Sequence, residues 1–215
     1  VRSPKKAAKV PPAKEAKAAL GLRAAAAEET RAALLEAGER LFAQKGLDGP
    51  SLDDICAAAG YTRGAFYVHF KDREAFLAAV MERIGLPLLD ELLGEPGEPA
   101  PSLSEVIPRF LGAVSSGRYP LAPKGSVRPH QLLDACARSP KIRRRYVSLI
   151  EKASLRAAAV VDRGQAEGWA RTDVPSTDAG TLLLALVIGA QTMLELGVPL
   201  DLTRAAGATM LLLKK

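Results

Sequence analysis

The feature that most constrains this chain is a twenty-residue stretch, Ser51 to Phe70, in which two short helical segments flank one glycine-containing bend. Ser51 closes the turn Gly49-Pro50-Ser51 and is a good N-cap, its side-chain oxygen able to take an otherwise unpaired amide. Asp53 and Asp54 follow in the first turn, where the positive end of the helix dipole favours them. The spacing predicts a helix over Leu52–Ala59, a bend at Gly60-Tyr61, and a third helix capped by Thr62 and reaching about Val68. Ile55 and Ala59 lie one turn apart and face inward, while Ala57 and Ala58 add no bulk to block the second segment. Gly60 permits the left-handed backbone of the bend. Tyr61 and Phe66 supply an apolar plug that fixes the crossing angle. Thr62, Arg63, Ala65 and Tyr67 stay outside, on a helix small enough to enter a major groove. This is the arrangement of a helix-turn-helix.

The rest of the chain is helical by pattern. A first amphipathic helix is expected from about Ala27 to Gln44, with Leu34, Leu35, Ala37, Leu41 and Phe42 on one stripe, stopped by Gly46. A fourth helix runs about Asp72–Leu93, and the proline-rich segment 94–101 is a linker. Further helices are expected at Leu103–Ser116, His130–Ala137, Lys141–Glu167, Thr177–Leu196 and Leu202–Leu213, with a Gly/Pro-punctuated loop at 117–129. No alternating strand pattern or internal repeat is found. The fold class is all-α, consistent with a chain in which alanine and leucine dominate and aromatic residues make up 5%.

Charge is distributed unevenly. Residues 1–26 hold seven basic side chains against Glu15 alone, which accounts for the formal net charge of +6; the remainder balances. Such an arm, rich in alanine and proline, is expected to be disordered when free. It is either a phosphate-attracting tail or a solubilising leader. No 7–15-residue apolar stretch follows it, so no secretory signal is expected. The most apolar run, Leu182–Ala190, is nine residues, too short to cross a bilayer. Cys56 and Cys136 form neither a disulfide framework nor a metal spacing, and a reduced, cytoplasmic protein is expected. An enzyme fails on inventory. The chain has two histidines, no Gly-rich phosphate loop and no metal motif, so neither catalytic residues nor a cofactor is expected.

The span Arg31–Leu77 resembles the N-terminal domain of TetR-family transcriptional regulators. The matching landmarks are Leu41-Phe42, Gly46, Ser51, Ile55, Ala58-Ala59-Gly60, Gly64, Phe66-Tyr67, His69-Phe70-Lys71 and Glu74. Tyr61 stands where a smaller aliphatic residue is usual and Phe66 where leucine is common; both remain apolar. With the arm at 1–26 set apart by its charge, the resemblance implies a DNA-binding head at 27–71 and a helical ligand-binding and dimerisation body at 72–215. By position Arg63 and Tyr67 would read base edges, with Thr62 adding a base or backbone contact and Gly64 allowing close approach. Ser51, His69 and Lys71 match positions that hold phosphates. Other readings stay open: Arg63 as a solvated charge, Tyr67 as a core aromatic, His69 bonded to local backbone.

In the body, the segment Thr177–Leu196 is apolar nearly all round and must be covered on both sides, by its own domain and by a partner subunit, or within one large core. The resemblance implies a homodimer, double-stranded operator DNA as partner and a pocket for an unknown small, largely apolar effector. Phe110, Tyr146, Ile150, Trp169 and Met193 are candidate lining groups, with His130 and Gln191 as polar anchors; each could equally be simple core. Arg143, Arg144 and Arg145 could attract an anion or form a solvated face. The function implied is a repressor released from its operator by that effector. A low-specificity nucleoid-type DNA binder without an effector is the alternative.

Overall fold

A computed structural model describes residues 13–116 and 129–215. Among them lie nine helices and no strand: α1 (Ala13–Lys45), α2 (Leu52–Ala59), α3 (Arg63–His69), α4 (Arg73–Leu93), α5 (Leu103–Ser115), α6 (Pro129–Arg138), α7 (Pro140–Ala166), α8 (Ser176–Glu195) and α9 (Leu202–Leu213). The all-α reading holds, and the ranges of α2 and α9 coincide with those expected. A single antiparallel bridge, Ala170 to Lys214, pins the end of α9 to the turn after α7.

The largest departure is at the start. The helix expected from Ala27 begins at Ala13, so the part of the supposedly disordered arm from 13 to 26 is helical; residues 1–12 lie outside the described region. The physical reason is local. Alanine, lysine, glutamate and leucine lose little on entering a helix, and no proline interrupts after Pro12. Residues 21–26 of this extension are exposed throughout, so propensity and continuity with the packed part of α1 sustain it.

The N-terminal helices close on an aromatic core. Phe42, Phe66, Phe70 and Phe76 are buried together, with Phe70 and Phe76 edge to face at 4.9 Å between centroids. Gly38 is required here, because a β-carbon on it would collide with the Phe76 ring. The same apolar cluster continues beyond the head: Leu132, Ala135 and Cys136 of α6 and Ile142 of α7 join it. Both cysteines are therefore core residues, and burial pushes their thiols up from the usual cysteine range.

α4 carries the chain out of this region over about 31 Å at 1.5 Å per residue. α7 runs parallel to it, registered by three ion pairs: Lys141–Asp72 at 2.9 Å, Arg145–Glu82 at 3.2 Å and Arg156–Asp90 at 2.5 Å. Arg145 is thus tied to α4 rather than free for an anion. α8 folds back along α7, so closely that a β-carbon on Gly180 would meet the backbone at Ala157 and Ala158.

Another side of α8 is open: Leu182 is 55% exposed, and Leu186 and Met193, also exposed, lie at the mouth of a cavity. Burial of this helix inside one large core, one of the two alternatives from sequence, does not occur in the single chain. At twenty residues α8 is also long and apolar enough to cross a membrane, which the nine-residue run had not suggested. It packs along α7 with one side uncovered.

Candidate DNA-reading head and body cavity

The bend between α2 and α3 forms as its residues require. Gly60 takes φ 77° and ψ 22°, and its amide and that of Tyr61 return to Ala57 and Cys56 carbonyls. Ile55 and Phe66 are fully buried, so the two short helices are clamped through their inner faces. Arg73, at the first position of α4, adds a brace that the sequence did not reveal. It donates to the Pro50 carbonyl at 2.6 Å and the Leu47 carbonyl at 2.7 Å, and its guanidinium lies 5.7 Å from the centre of the Phe42 ring. Carbonyls in the loop before α2 are thereby satisfied, and that loop is fixed against α4.

Ser51 caps α2 in a reciprocal box. Its hydroxyl donates to Asp54 Oδ2 at 2.7 Å and accepts from the Asp54 amide at 3.1 Å, while its own amide donates to the same carboxylate at 2.8 Å. These bonds hold the Asp54 carboxyl below the usual carboxylate range. A phosphate approaching this helix start would meet a carboxylate already seated there. Ser51 is therefore first of all a folding residue.

On α3, Thr62 accepts from the Ala65 amide at 3.3 Å as the expected cap. Arg63 is exposed but leans back to Asp53, Nε to Oδ1 at 3.3 Å. Tyr67 is 52% exposed and packs its ring edge to face on Phe66, so it is not a core aromatic. Gly64 and Lys71 are exposed; His69 is half-buried, its ring beside Phe70. Thr62, Arg63, Gly64, Tyr67 and Lys71 are thus all exposed, and His69 is half-exposed. Val68, absent from the sequence-based candidates, is 77% exposed.

A cavity of about 430 Å³ opens between α4, α5, α7, α8 and α9. Phe110 and Met193 line it, together with Leu92, Ile107 and Val160. Thr209 contributes the one side-chain hydroxyl on its wall, and that hydroxyl is spent on the Ala205 carbonyl at 2.9 Å. The other five pocket candidates lie elsewhere. Trp169 fills the space left by Gly164 and packs against the cluster of Leu103, Val160 and Val161 without lining the cavity itself. Tyr146 and Ile150 are half-buried on α7; Tyr146 packs against the head's cluster, and burial pushes its hydroxyl up from the usual tyrosine range. His130 is exposed and pairs through Nδ1 with Glu195 at 2.5 Å. Gln191 is 5% exposed, and neither of its amide atoms has a hydrogen-bond partner.

Comparisons with known proteins agree with this geometry. Residues 34–80 match the family described as bacterial regulatory proteins, tetR family. The chain is 40% identical to the HTH-type transcriptional regulator AcrR of Shigella flexneri over 89 residues, 40% of this chain and 41% of AcrR. It is 41% identical to the regulator TtgR of Pseudomonas putida over 58 residues, 27% of this chain and 28% of TtgR. These matches cover less than half the length of either relative. The fold is similar over a greater span to SmeT in its complex with triclosan, with a TM-score of 0.67, 28% identity, and 86% and 92% of the two chains covered. A further structure of SmeT, described as the repressor of a Stenotrophomonas maltophilia multidrug efflux pump, gives a TM-score of 0.62 at 27% identity, covering 87% of this chain and 93% of that one. With the capped helix-turn-helix at its head, residues 34–80 form an N-terminal domain of the tetR family of bacterial regulatory proteins, and the helical layout continuing through α9 is similar to that of SmeT.

Proposed function

We propose that this protein is a cytoplasmic, sequence-specific repressor that binds a two-fold operator as a homodimer and releases it when a small, largely apolar molecule enters the body. The observation that carries the effector part is the cavity between α4, α5, α7, α8 and α9. Its volume suits a small organic molecule, and its wall is almost without hydrogen-bonding groups. Phe110 and Met193 are the sequence candidates retained for it; Gln191, His130, Tyr146, Ile150 and Trp169 would act on it only through neighbouring packing. SmeT, similar in fold, is named a repressor and forms a complex with triclosan, which supports the reading by analogy.

For DNA, Arg63 and Tyr67 are the base-reading side chains, with Thr62 and Gly64 beside them and Ser51, His69 and Lys71 toward phosphates. Arg63 must exchange Asp53 for a base edge, a small cost for so exposed an ion pair. Residues 27–71 form the head and 72–215 the body, coupled because α4 begins in one and ends against the cavity of the other. The second copy covers the open side of α8 and the outer side of α9, where Leu211 is 74% exposed.

The test begins by selecting duplexes from a random pool with the full chain and measuring affinity for the enriched sequence. A panel of apolar compounds, triclosan included, is then screened for thermal stabilisation and for release of that duplex. Coupling of about 1–3 kcal/mol would weaken binding roughly 5–150-fold. Equal affinity for all sequences, with binding governed by salt alone, would instead support the nucleoid-type alternative.

A further inference from the structure

Two positions on α3 hold residues that folding alone does not call for. With about 100° per residue and buried Phe66 directed at the core, Gly64 and Val68 lie within about 20° of straight outward. Tyr67 and Ala65 stand to the sides, and Arg63 and His69 lie nearer the base. Burial follows this wheel: Val68 is the most exposed large apolar side chain among the described residues, while Ala65 and His69 are half-buried. Both outermost residues are poor helix formers, valine for its restricted rotamers and glycine for its backbone entropy. Neither is needed for packing in the protomer. Val68 belongs to no apolar cluster, and a β-carbon on Gly64 would meet only Thr62 Oγ1, at an ordinary 3.6 Å.

The tip of α3 is therefore an isopropyl group beside a notch, one helical turn apart. It offers no donor or acceptor, so it cannot read the hydrogen-bonding edge of a base. In the major groove the apolar feature that distinguishes one base from the others is the C5-methyl of thymine. We propose that Val68 determines specificity by packing on a thymine methyl in each half-site, the missing side chain at Gly64 letting the α3 backbone close on the same step. This rests on the DNA-reading function proposed above and adds a contact of different chemistry from Arg63. The polar flanks recognise donors and acceptors, and the apolar tip recognises a methyl.

The experiment uses the full chain, its Val68→Ala variant and a duplex enriched from a random pool by the wild type. Exposure of Val68 makes the variant fold normally, which circular dichroism and thermal melting without DNA verify. Each thymine is replaced in turn by uracil, which removes the methyl and nothing else. We expect one thymine per half-site at which uracil weakens the wild type about three- to fourfold and leaves Val68→Ala unaffected. The variant should also bind the parent duplex more weakly by a similar factor. If both proteins give the same uracil profile on an enriched duplex, the role of Val68 is overturned while sequence-specific reading stands. If no duplex is enriched, the reading function itself fails. A Val68→Ala variant that changes self-association and leaves duplex preference intact would assign the tip to contact between copies and overturn the proposal.

Discussion

The head and the C-terminal helix pair solve the same problem to different degrees. In the head the phenylalanine rings are buried, α2, α3 and α4 begin at side-chain caps, and Arg73 takes up loop carbonyls. On α8 and α9, leucines remain in water and a cavity stays open. Apolar surface left exposed costs free energy roughly in proportion to its area. The difference teaches that the head closes its apolar core within one chain, whereas α8 and α9 leave apolar surface and a cavity, which the second copy and the ligand proposed above would fill. A rigid reading surface attached to an incomplete, responsive body is what a ligand-controlled DNA binder needs.

Several changes would break or sharpen that contrast. The largest effect is expected in the head: Phe66→Ala should lose about 3–5 kcal/mol and abolish duplex binding, measured by urea unfolding and gel shift. Leu186→Ala on α8, which vacates no buried site in the single chain, should leave the urea midpoint of dilute protein nearly unchanged. Equal losses for the two would erase the distinction between head and body.

Next in size, placing charge on the open side by Leu182→Lys with Leu211→Lys should convert a dimer to monomer in sedimentation velocity, since an unpaired charge is costly to bury. The helical spectrum should persist. Retention of the dimer would move the interface elsewhere.

A smaller effect is expected at the junction. Asp72 caps α4 by accepting from the Ala75 amide at 2.6 Å and also receives Lys141, and these contacts hold its carboxyl below the usual carboxylate range. A depressed carboxylate contributes stability above its unfolded value and loses it as pH falls through the folded one. Asp72→Ala should therefore cost about 0.5–2 kcal/mol near neutrality, with the gap to wild type narrowing below about pH 4. A gap that persists at low pH would show that the carboxylate charge is not what matters.

How much of this was legible in the sequence depends on the range of the interaction. Ser51, Thr62 and Gly60 were readable because capping and bending are decided within four residues; Asp72 was read only as the start of the fourth helix, where the structure makes it the cap. The aromatic plug was readable because Tyr61 and Phe66 are the bulky apolar side chains that flank the bend and face the first two helices, and both pack into the head's cluster. Arg73 was not, since its partners are two carbonyls more than twenty residues back. Nor was the entry of α6 into the head's cluster, which follows from how α4 and α7 lie side by side. The helical start at Ala13 was missed because alanine and lysine suit both a solvated tail and a helix, and charge alone does not separate them. For the cavity, apolar composition marked the body as a whole, but only the tertiary arrangement separates Phe110 and Met193 from Trp169, which fills core.

Sedimentation velocity of the full chain at micromolar concentration, alone and with its enriched duplex, tests the central claim most directly. The account predicts a dimer that binds a two-fold sequence as two chains per duplex, with reading helices about 34–36 Å apart or a multiple of that spacing. A chain that stays monomeric and binds a single half-site tightly would contradict it.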